Sequence, residues 1–159
     1  MDPYISEIPA PPRREDWLFL QELQQPEQRC LHWTRTDTEV PPNHLDLKPG
    51  LSLAVDFPDA EGLLETAIED FRRLLTLTEL PENGPVPCRF LQEDTGTNES
   101  YRLQVNADGI TLSAKDTEGL RRGIYFLEVQ LTGASGPALP FTDHHRSPWL
   151  RNRISRCFF

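Results

Sequence analysis

The strongest constraint on the fold lies in residues 99–131, which predict a β-hairpin running directly into a helix. Tyr101, Leu103 and Val105 alternate with polar residues, which is the period-two pattern of a half-buried strand. The turn that follows contains Gly109, a residue that can adopt positive φ without a Cβ clash. A second alternating stretch then predicts a strand that returns antiparallel to the first.

The helix after the hairpin is expected to begin at Asp116 or Thr117, because a short side-chain oxygen there can accept hydrogen bonds from first-turn amides. Helical spacing predicts a buried stripe made of Leu120, Ile124, Leu127 and Leu131. Gly119 and Gly123 flank this stripe, and each costs about 1 kcal/mol of helix propensity relative to Ala. Close approach of the helix to a sheet is the simplest reason for both; a helix that merely tolerates glycine is the alternative.

Two strands and a further helix are predicted before the hairpin. Residues 51–57 alternate and predict a strand, and residues 61–78 predict an amphipathic helix capped by Asp59. The apolar stripe of that helix consists of Leu64, Ile68, Phe71 and Leu75, widened by Leu63, Ala67 and Leu74. Residues 86–91 predict a strand, in which Pro87 indicates an edge position or a strand start.

The order of these elements predicts the fold class. Helices and strands alternate, but the antiparallel hairpin interrupts a doubly wound pattern, so we expect an α+β fold with a mixed sheet and two amphipathic helices on one face. Residues 1–27 are assigned to an N-terminal arm and short helix, and residues 28–145 to the α+β domain. Residues 40–49 are expected to form a loop within it, and residues 146–159 to lead out of it.

Composition excludes several classes of partner. The 159 residues suffice for one hydrophobic core. A formal charge of -9 and a pI near 4.9 argue against nucleic acid or an anionic membrane surface as a partner. No apolar run reaches the length of a membrane span, and no secretory signal pattern opens the chain, so a cytoplasmic location is favoured. No glycine-rich phosphate loop is present, and no cofactor is expected.

Metal and thiol chemistry is not expected either. The cysteines are Cys30, Cys88 and Cys157. Their number is odd, and their spacing matches no ligand motif, so we expect reduced, mostly buried thiols and no metal site. Residues 143–145, Asp-His-His, invite interpretation as a metal site or catalytic triad. Neighbouring residues of a strand point to opposite faces, so the two imidazoles are not expected to share an ion.

A resemblance to a known family rests on the hairpin and the helix after it. The helix carries the motif D-x-x-G-L-x-x-G-x-x-x-L-x-x-Q-L from Asp116 to Leu131. Together they resemble the small α+β domain that precedes the catalytic barrel in glycoside hydrolase family 20, the β-N-acetylhexosaminidases. Related domains precede the barrels of the α-glucuronidases. The strand and helix over residues 51–78 are similar to that domain's first strand and helix, and residues 139–143 to its closing strand.

The resemblance continues into the last residues of the chain. Ser147-Pro148-Trp149 followed by Arg151 is similar to the segment that leads into the first barrel strand. The matching arginine contacts sugar hydroxyls, which implies a substrate-binding role for Arg151 in the complete protein. In the alternative interpretation, Arg151 belongs to a solvated or interface-facing basic end of the chain. The lead-in is shorter than the family's and lacks its aspartate and histidine, which leaves open which glycosidase this is.

The resemblance implies that this chain carries no catalytic residue. In the family an Asp-Glu dipeptide on the barrel does the chemistry, and this sequence contains no such dipeptide. A barrel typically needs about 250 residues, so it is absent from this chain. The acidic pairs at residues 69–70 and 93–94 are expected to be solvated, as Asp and Glu usually are.

Three hypotheses about function follow. The first is a non-catalytic N-terminal domain of a larger glycoside hydrolase, whose partner is its own C-terminal barrel; it predicts an apolar or arginine-rich surface near the C-terminus. The second is a free-standing carbohydrate-binding or protein-interaction module, which predicts a closed, polar surface and a groove lined by aromatic residues. The third is an enzyme in its own right.

Overall fold

The computed structural model describes residues 39–134 and 136–149, all within one compact unit of the chain. In this part the elements are, in order, β1 (His44–Asp46), β2 (Leu51–Asp56), α1 (Glu65–Leu77), β3 (Val86–Gln92), β4 (Tyr101–Asn106), β5 (Gly109–Ala114), α2 (Thr117–Gly133), β6 (Ala138–Pro140) and β7 (Thr142–Arg146). The expectations for residues 1–27, Cys30, Cys157 and Arg151 lie outside the described residues.

The fold is α+β, as predicted. The main sheet has five strands in the order β2-β3-β5-β4-β7, in which β2, β3 and β5 are parallel and β4 is antiparallel to both of its neighbours. The two helices pack on one face of this sheet, so their apolar stripes and the strand residues beneath them form one core. Strands β1 and β6 form a separate antiparallel pair.

The core is built from the positions that the two periodicities predict. Its fully buried side chains include Leu51, Phe71, Leu75, Cys88, Phe90, Leu103, Ile110, Leu112, Leu120, Ile124, Leu127 and Leu131. On the strands they alternate with mostly polar or small residues on the opposite side of the sheet, where Leu91 is an exception. We call this side the open face. Since antiparallel and mixed sheets of this kind often face water on one side, the open face needs no apolar cover.

The hairpin forms as predicted. Leu103 of β4 lies opposite Leu112 of β5, and both are fully buried. Gly109 has a φ of +132°, and a Cβ there would lie 2.4 Å from the carbonyl oxygen of Pro87. Glycine is therefore required at this turn both by the backbone conformation and by the neighbouring strand.

The predicted start of α2 is also confirmed. Asp116 precedes the first helical residue in an extended conformation, and its Oδ1 accepts a hydrogen bond from the Gly119 amide at 2.7 Å. Its Oδ2 accepts a second bond, from the Glu99 amide, at 2.9 Å. One carboxylate thus caps the helix and ties it to the residue just before β4.

Gly119 and Gly123 both lie where α2 comes close to the sheet, which was the favoured explanation for two glycines in this helix. A Cβ on Gly119 would lie 2.3 Å from the carbonyl oxygen of Ser100, and one on Gly123 would lie 2.5 Å from Cδ1 of Leu112. A larger residue at position 119 would meet backbone and push the helix away from the sheet, whereas one at position 123 would have to displace the end of the Leu112 side chain. The pair therefore sets the distance between the helix and the sheet.

Helix α1 starts later than predicted. The expectation was a helix over residues 61–78 with Asp59 as N-cap, but the helix begins at Glu65. Gly62 has a φ of +68°, which breaks the helical path. Asp59 still accepts hydrogen bonds from the amides of Leu63 and Leu64, at 2.9 Å each, and so caps the turn before the helix. Leu63 is 52% exposed, so its assignment to the buried stripe was wrong.

Three smaller expectations need correction. The predicted loop over residues 40–49 contains β1, which pairs with the distant β6. The predicted closing strand over residues 139–143 is two strands that break at Phe141. The Phe141 amide donates to the Asn43 carbonyl and so extends the β1–β6 pairing, whereas β7 pairs with β4. Pro87 lies near the start of β3, as one alternative had it, but β3 is interior and not an edge.

Candidate functional site

The Asp-His-His stretch lies on β7, and its two imidazoles point to opposite faces of the sheet, as predicted. His144 lies on the helix side, where its ring meets Phe126 edge-on with centroids 5.4 Å apart. His145 lies on the open side, where Nε2 is 2.9 Å from the Thr95 carbonyl oxygen. No group of three metal-ligating side chains occurs within residues 39–134 and 136–149.

Asp143 belongs to an ion pair on the open face. Arg102 donates to its two carboxylate oxygens at 2.8 and 2.6 Å, and Gln104 donates to Oδ2 at 3.2 Å. The hydrogen bonds from Arg102 hold the pKa of Asp143 below its ordinary value. Because both side chains are about half exposed, the pair contributes little to stability. It fixes β7 to β4 and leaves no free carboxylate for chemistry.

Other titratable groups singled out from the sequence are placed as expected. Cys88 is fully buried, and burial raises the pKa of its thiol to about 12, so it is not a reactive thiolate at neutral pH. Glu69, Asp70, Glu93 and Asp94 are all exposed. Neither described helix is long and apolar enough to cross a bilayer.

A groove that the sequence did not indicate lies where α2 passes the start of β4 and the end of β7. Its volume is about 370 Å³, and its walls include Tyr101, Arg122, Tyr125 and Arg146, with Glu99 and residues 147–148 at its margin. We call it the Tyr–Arg groove. Three separate segments supply its side chains: β4, α2 and the end of β7.

Arg146 is held in the groove by stacking. Its guanidinium carbon lies 4.7 Å from the centroid of the Phe126 ring, a cation–π contact. Phe126 is itself held by Tyr101, at 5.8 Å between ring centroids, and by His144. Within the described part of the chain Arg146 makes no ion pair or hydrogen bond through its guanidinium. Its donors therefore remain available at a fixed position.

Arg122 is held differently, by carboxylates. Its Nη2 lies 2.7 Å from an oxygen of Glu118 and 3.3 Å from one of Glu99. Its Nε is buried and has no acceptor among the described residues. A buried donor without a partner costs about 1–3 kcal/mol, so this atom would gain from a ligand or water that reached it.

Tyr101 connects the two arginines. It is only 6% exposed yet lines the groove. Burial raises the pKa of its hydroxyl, while the charges of Arg146 and Arg122 act in the opposite direction. The charges of both arginines thus act on the Tyr101 hydroxyl, although Glu118 and Glu99 offset the charge of Arg122.

A second feature is the uneven distribution of exposed apolar side chains over the surface. The described exposed large apolar side chains are Val55, Leu63, Leu77, Tyr125, Val129, Phe141 and Trp149. None occupies an open-face strand position. Val55, for example, lies opposite the buried Phe90 and so faces the helices. Val129 is 61% exposed, and Trp149, three residues beyond β7, is 91% exposed. We call the exposed apolar residues on α1 and α2, and Leu63 just before α1, the helix-side surface.

A hollow of about 570 Å³ adjoins this surface between the β1–β6 pair and the end of α2. Prolines, glycines and alanines, including Pro41, Gly133 and Pro137, make up most of its described wall, and Val129 stands at its edge. Four polar side chains, those of Glu39, His44, Lys48 and Gln130, also belong to the described wall.

Glu128 lies between the two helices in an unfavourable setting. Its Oε1 is buried and has no hydrogen-bond partner among the described residues. Burial, and then the negative charge of Asp70 on α1, raises the pKa of this carboxyl to about 7. At neutral pH the group is therefore close to half protonated.

A pH dependence of stability follows from Glu128. Its carboxyl has an ordinary pKa of 4.5 in the unfolded chain and about 7 in the folded one, so between these values the folded chain binds more protons. Stability is expected to fall as pH rises through this window, by about 1 kcal/mol once solvent screening of a half-exposed group is allowed for. Glu128→Gln should remove this slope and stabilise the protein above pH 7, as measured by urea unfolding at a series of pH values.

The control for this prediction is Glu69→Gln, an exposed acid on α1. It should leave the slope of stability against pH unchanged. An unchanged slope in Glu128→Gln would show that the titrating group lies elsewhere.

Of the comparisons with known proteins, only the one with solved structures finds a match. No protein-family model matches the chain, and no curated protein matches it. Solved structures do match. The chain is similar to part of several β-N-acetylhexosaminidases.

Three of these structures illustrate the extent of the match. For the β-N-acetylhexosaminidase from Bacteroides fragilis, identity is 20% over 67% of this chain and 22% of that one, with a TM-score of 0.48. For the Flavobacterium johnsoniae chitobiase, identity is 22% over 67% of this chain and 19% of that one, with a TM-score of 0.45. For the Vibrio harveyi exo-β-N-acetylglucosaminidase of family GH20, identity is 21% over 57% of this chain and 14% of that one, with a TM-score of 0.36. The chain thus spans about a fifth or less of each of these proteins.

The sequence analysis missed the Tyr–Arg groove for a specific reason. Arg122, Tyr125 and Phe126 follow each other on one side of α2, at spacings of three and four residues, and helical periodicity could have grouped them. Tyr101 was assigned to the buried side of its strand, correctly, and Arg146 to the segment leading out of the domain. Only the pairing of β7 with β4, which sets Arg146 opposite Tyr101, brings them together.

Proposed function

We propose that this chain is the non-catalytic N-terminal domain of a larger carbohydrate-active enzyme, a glycoside hydrolase, and that it packs its helix layer against a catalytic barrel. The observation that carries this proposal is the asymmetry of exposed apolar side chains. Leu77, Tyr125 and Val129 are between 43 and 61% exposed on the outer side of the helices, whereas no large apolar side chain is exposed at a described strand position of the open face, where Leu91 is partly buried. Exposed apolar groups gathered on one side are typical of a surface that contacts another domain.

Two further observations support the proposal. The hairpin and the glycine-containing helix on which the family resemblance rests form one packed unit, with Gly119 and Gly123 against the sheet. Trp149 is 91% exposed and lies three residues beyond β7. A tryptophan at that exposure is costly in water and is a frequent anchor in protein interfaces. The role assigned to Arg151 at the start of the barrel belongs to this proposal as well.

The test uses the full gene product. Val129→Glu places a charge on the helix-side surface, and Thr111→Glu places the same charge on the open face. Val129→Glu should lower the thermal midpoint and the hydrolytic activity of the full-length protein on chromogenic glycosides, because burying an unpaired charge between domains is unfavourable. Thr111→Glu should leave both unchanged.

The isolated 159-residue chain is the second arm of the test. There, Val129→Glu should leave stability within about 0.5 kcal/mol of the parent sequence, since the position is exposed. Equal effects of the two substitutions in the full-length protein, or a native gene that encodes no further domain, would overturn the proposal.

A further inference from the structure

We infer that Arg146 is a docking position for a carboxylate side chain of the domain that packs against the helix-side surface. The inference rests on the proposed function and adds which chemical group the partner presents, and where. Arg146 is the last residue of β7 and lies opposite Tyr101, so its side chain is on the helix side of the sheet. It is exposed, and it lines the Tyr–Arg groove together with Tyr125, a member of the helix-side surface.

The guanidinium of Arg146 is held in one place but is not neutralised. Its central carbon lies 4.7 Å from the centroid of the Phe126 ring, which also contacts the rings of Tyr101 and His144. Stacking on Phe126 occupies one face of the guanidinium and leaves the N–H donors along its edge. Among the side chains that the structure describes, no carboxylate pairs with Arg146. The group therefore presents a fixed, unpaired positive charge to whatever covers it.

An unpaired arginine becomes unfavourable once a second domain covers it. Moving a charge from water into an interface without a partner is costly, and arginine stays charged because it does not release its proton in proteins. The unpaired acid of α2, Glu128, differs in this respect, since its raised pKa of about 7 lets it bind a proton and become neutral. The partner need not supply a cation for Glu128, but it has to supply an anion for Arg146.

A carboxylate is the anion that a protein surface offers. Its two oxygens match two parallel N–H donors of a guanidinium, an arrangement that is stronger and more directional than a single hydrogen bond. Two neighbouring side chains favour an interface here: Tyr125 is 43% exposed, and Trp149, three residues beyond Arg146, is 91% exposed. Tyrosine, tryptophan and arginine are the residue types most enriched among those that dominate binding energy in interfaces. A partner with an acid opposite Arg146 would engage all three.

A domain that begins after residue 159 is the favoured source of this acid. Residues 150–159 would separate it from Trp149, and a stretch of this length spans at most about 35 Å. Such a tethered domain meets Arg146 at a high effective concentration. A second copy of this chain also carries acids, but two chains with a formal charge of -9 each repel one another.

Chemical cross-linking tests where the acid lies. A water-soluble carbodiimide joins a lysine amine to a carboxylate in contact with it, with loss of water, whereas arginine does not react. The full gene product with Arg146→Lys is treated with the reagent, digested and analysed by mass spectrometry. We expect a cross-link from position 146 to an Asp or Glu beyond residue 159. The matched control is Arg89→Lys, at an exposed position on the open face, which should give no link beyond residue 159.

Three results of this experiment would overturn the inference. The substituted lysine at position 146 gives no cross-link, it links only to an acid within residues 1–159 of the same chain, or it joins two copies of the protein.

Thermal unfolding separates this inference from the proposed function. Arg146→Glu would place two acids together, so it should lower the thermal midpoint of the full-length protein by at least about 4 °C more than that of the isolated chain, which loses only the contact with Phe126. Arg89→Glu should affect both proteins equally. If Val129→Glu lowers the full-length midpoint selectively and Arg146→Glu does not, the domain packing stands and the inference falls. If neither substitution acts selectively, both fall.

Discussion

Gly119→Ala is expected to destabilise the protein by about 2 kcal/mol, although alanine is the better helix former. The added Cβ would lie 2.3 Å from the carbonyl oxygen of Ser100, a residue that is fully buried. That carbonyl also accepts a hydrogen bond from the Thr95 hydroxyl at 3.1 Å, so it cannot move away freely. Overpacking of this kind costs about 1–3 kcal/mol and outweighs a propensity gain of about 1 kcal/mol. Urea unfolding measures the difference.

Two other glycines of the same helix make the comparison decisive. Gly123→Ala meets the end of the flexible Leu112 side chain at 2.5 Å, so its loss should be smaller. Gly133→Ala meets nothing within 4 Å and should gain stability, by up to about 1 kcal/mol. If Gly119→Ala were as stable as the parent, the helix would merely tolerate glycine, and the spacing of helix and sheet would have another cause.

The largest loss of stability is expected from removing either ring of the Phe71–Phe90 pair. Both side chains are fully buried, and their rings meet edge-on with centroids 5.6 Å apart. Phe71→Ala or Phe90→Ala should each cost about 3–5 kcal/mol, the usual loss for a large buried ring. Domains have only about 5–15 kcal/mol to lose, so either variant should be close to unfolding at elevated temperature.

The coupling between the two rings needs gentler variants. Phe71→Leu, Phe90→Leu and the double variant form a cycle in which the interaction energy should be about 0.5–1.5 kcal/mol. Leu77→Ala, 52% exposed on the same helix as Phe71, should change stability by less than about 0.5 kcal/mol. Additive losses in the cycle would show that α1 and β3 stabilise the core independently of this contact.

Periodicity in the sequence predicted most of the individual elements. The hairpin, both apolar stripes, the Asp116 cap and the purpose of Gly119 and Gly123 were all recoverable, because each depends on residues within one turn or one hairpin of each other. The start of α1 was predicted wrongly because a single Gly62 at positive φ overrode a continuous stripe. The β1–β6 pair was missed because three-residue strands carry too little pattern.

The candidate site was far less predictable. The sequence directed attention to Arg151, which lies outside the described residues, and to the Asp-His-His stretch, which forms structural contacts. The groove is built from Tyr101, Arg122, Tyr125 and Arg146, which come from segments up to 45 positions apart in the numbering. No local sequence pattern identifies such a set, because its members come together in space without any regular spacing along the chain.

The sequence by itself determined strands β2 to β5, the two helices apart from the start of α1, their buried sides and the α+β class, because alternation and helical spacing are properties of short stretches of chain. The tertiary structure alone decided that β7 joins the sheet beside β4, that β1 pairs with β6, and that the exposed apolar side chains gather on the helix side. Those outcomes depend on contacts between distant segments, whose free energy is set by how whole surfaces fit together. The hairpin and helix of residues 99–131 thus specified the framework, and packing placed Arg146 against Phe126 and so formed the groove.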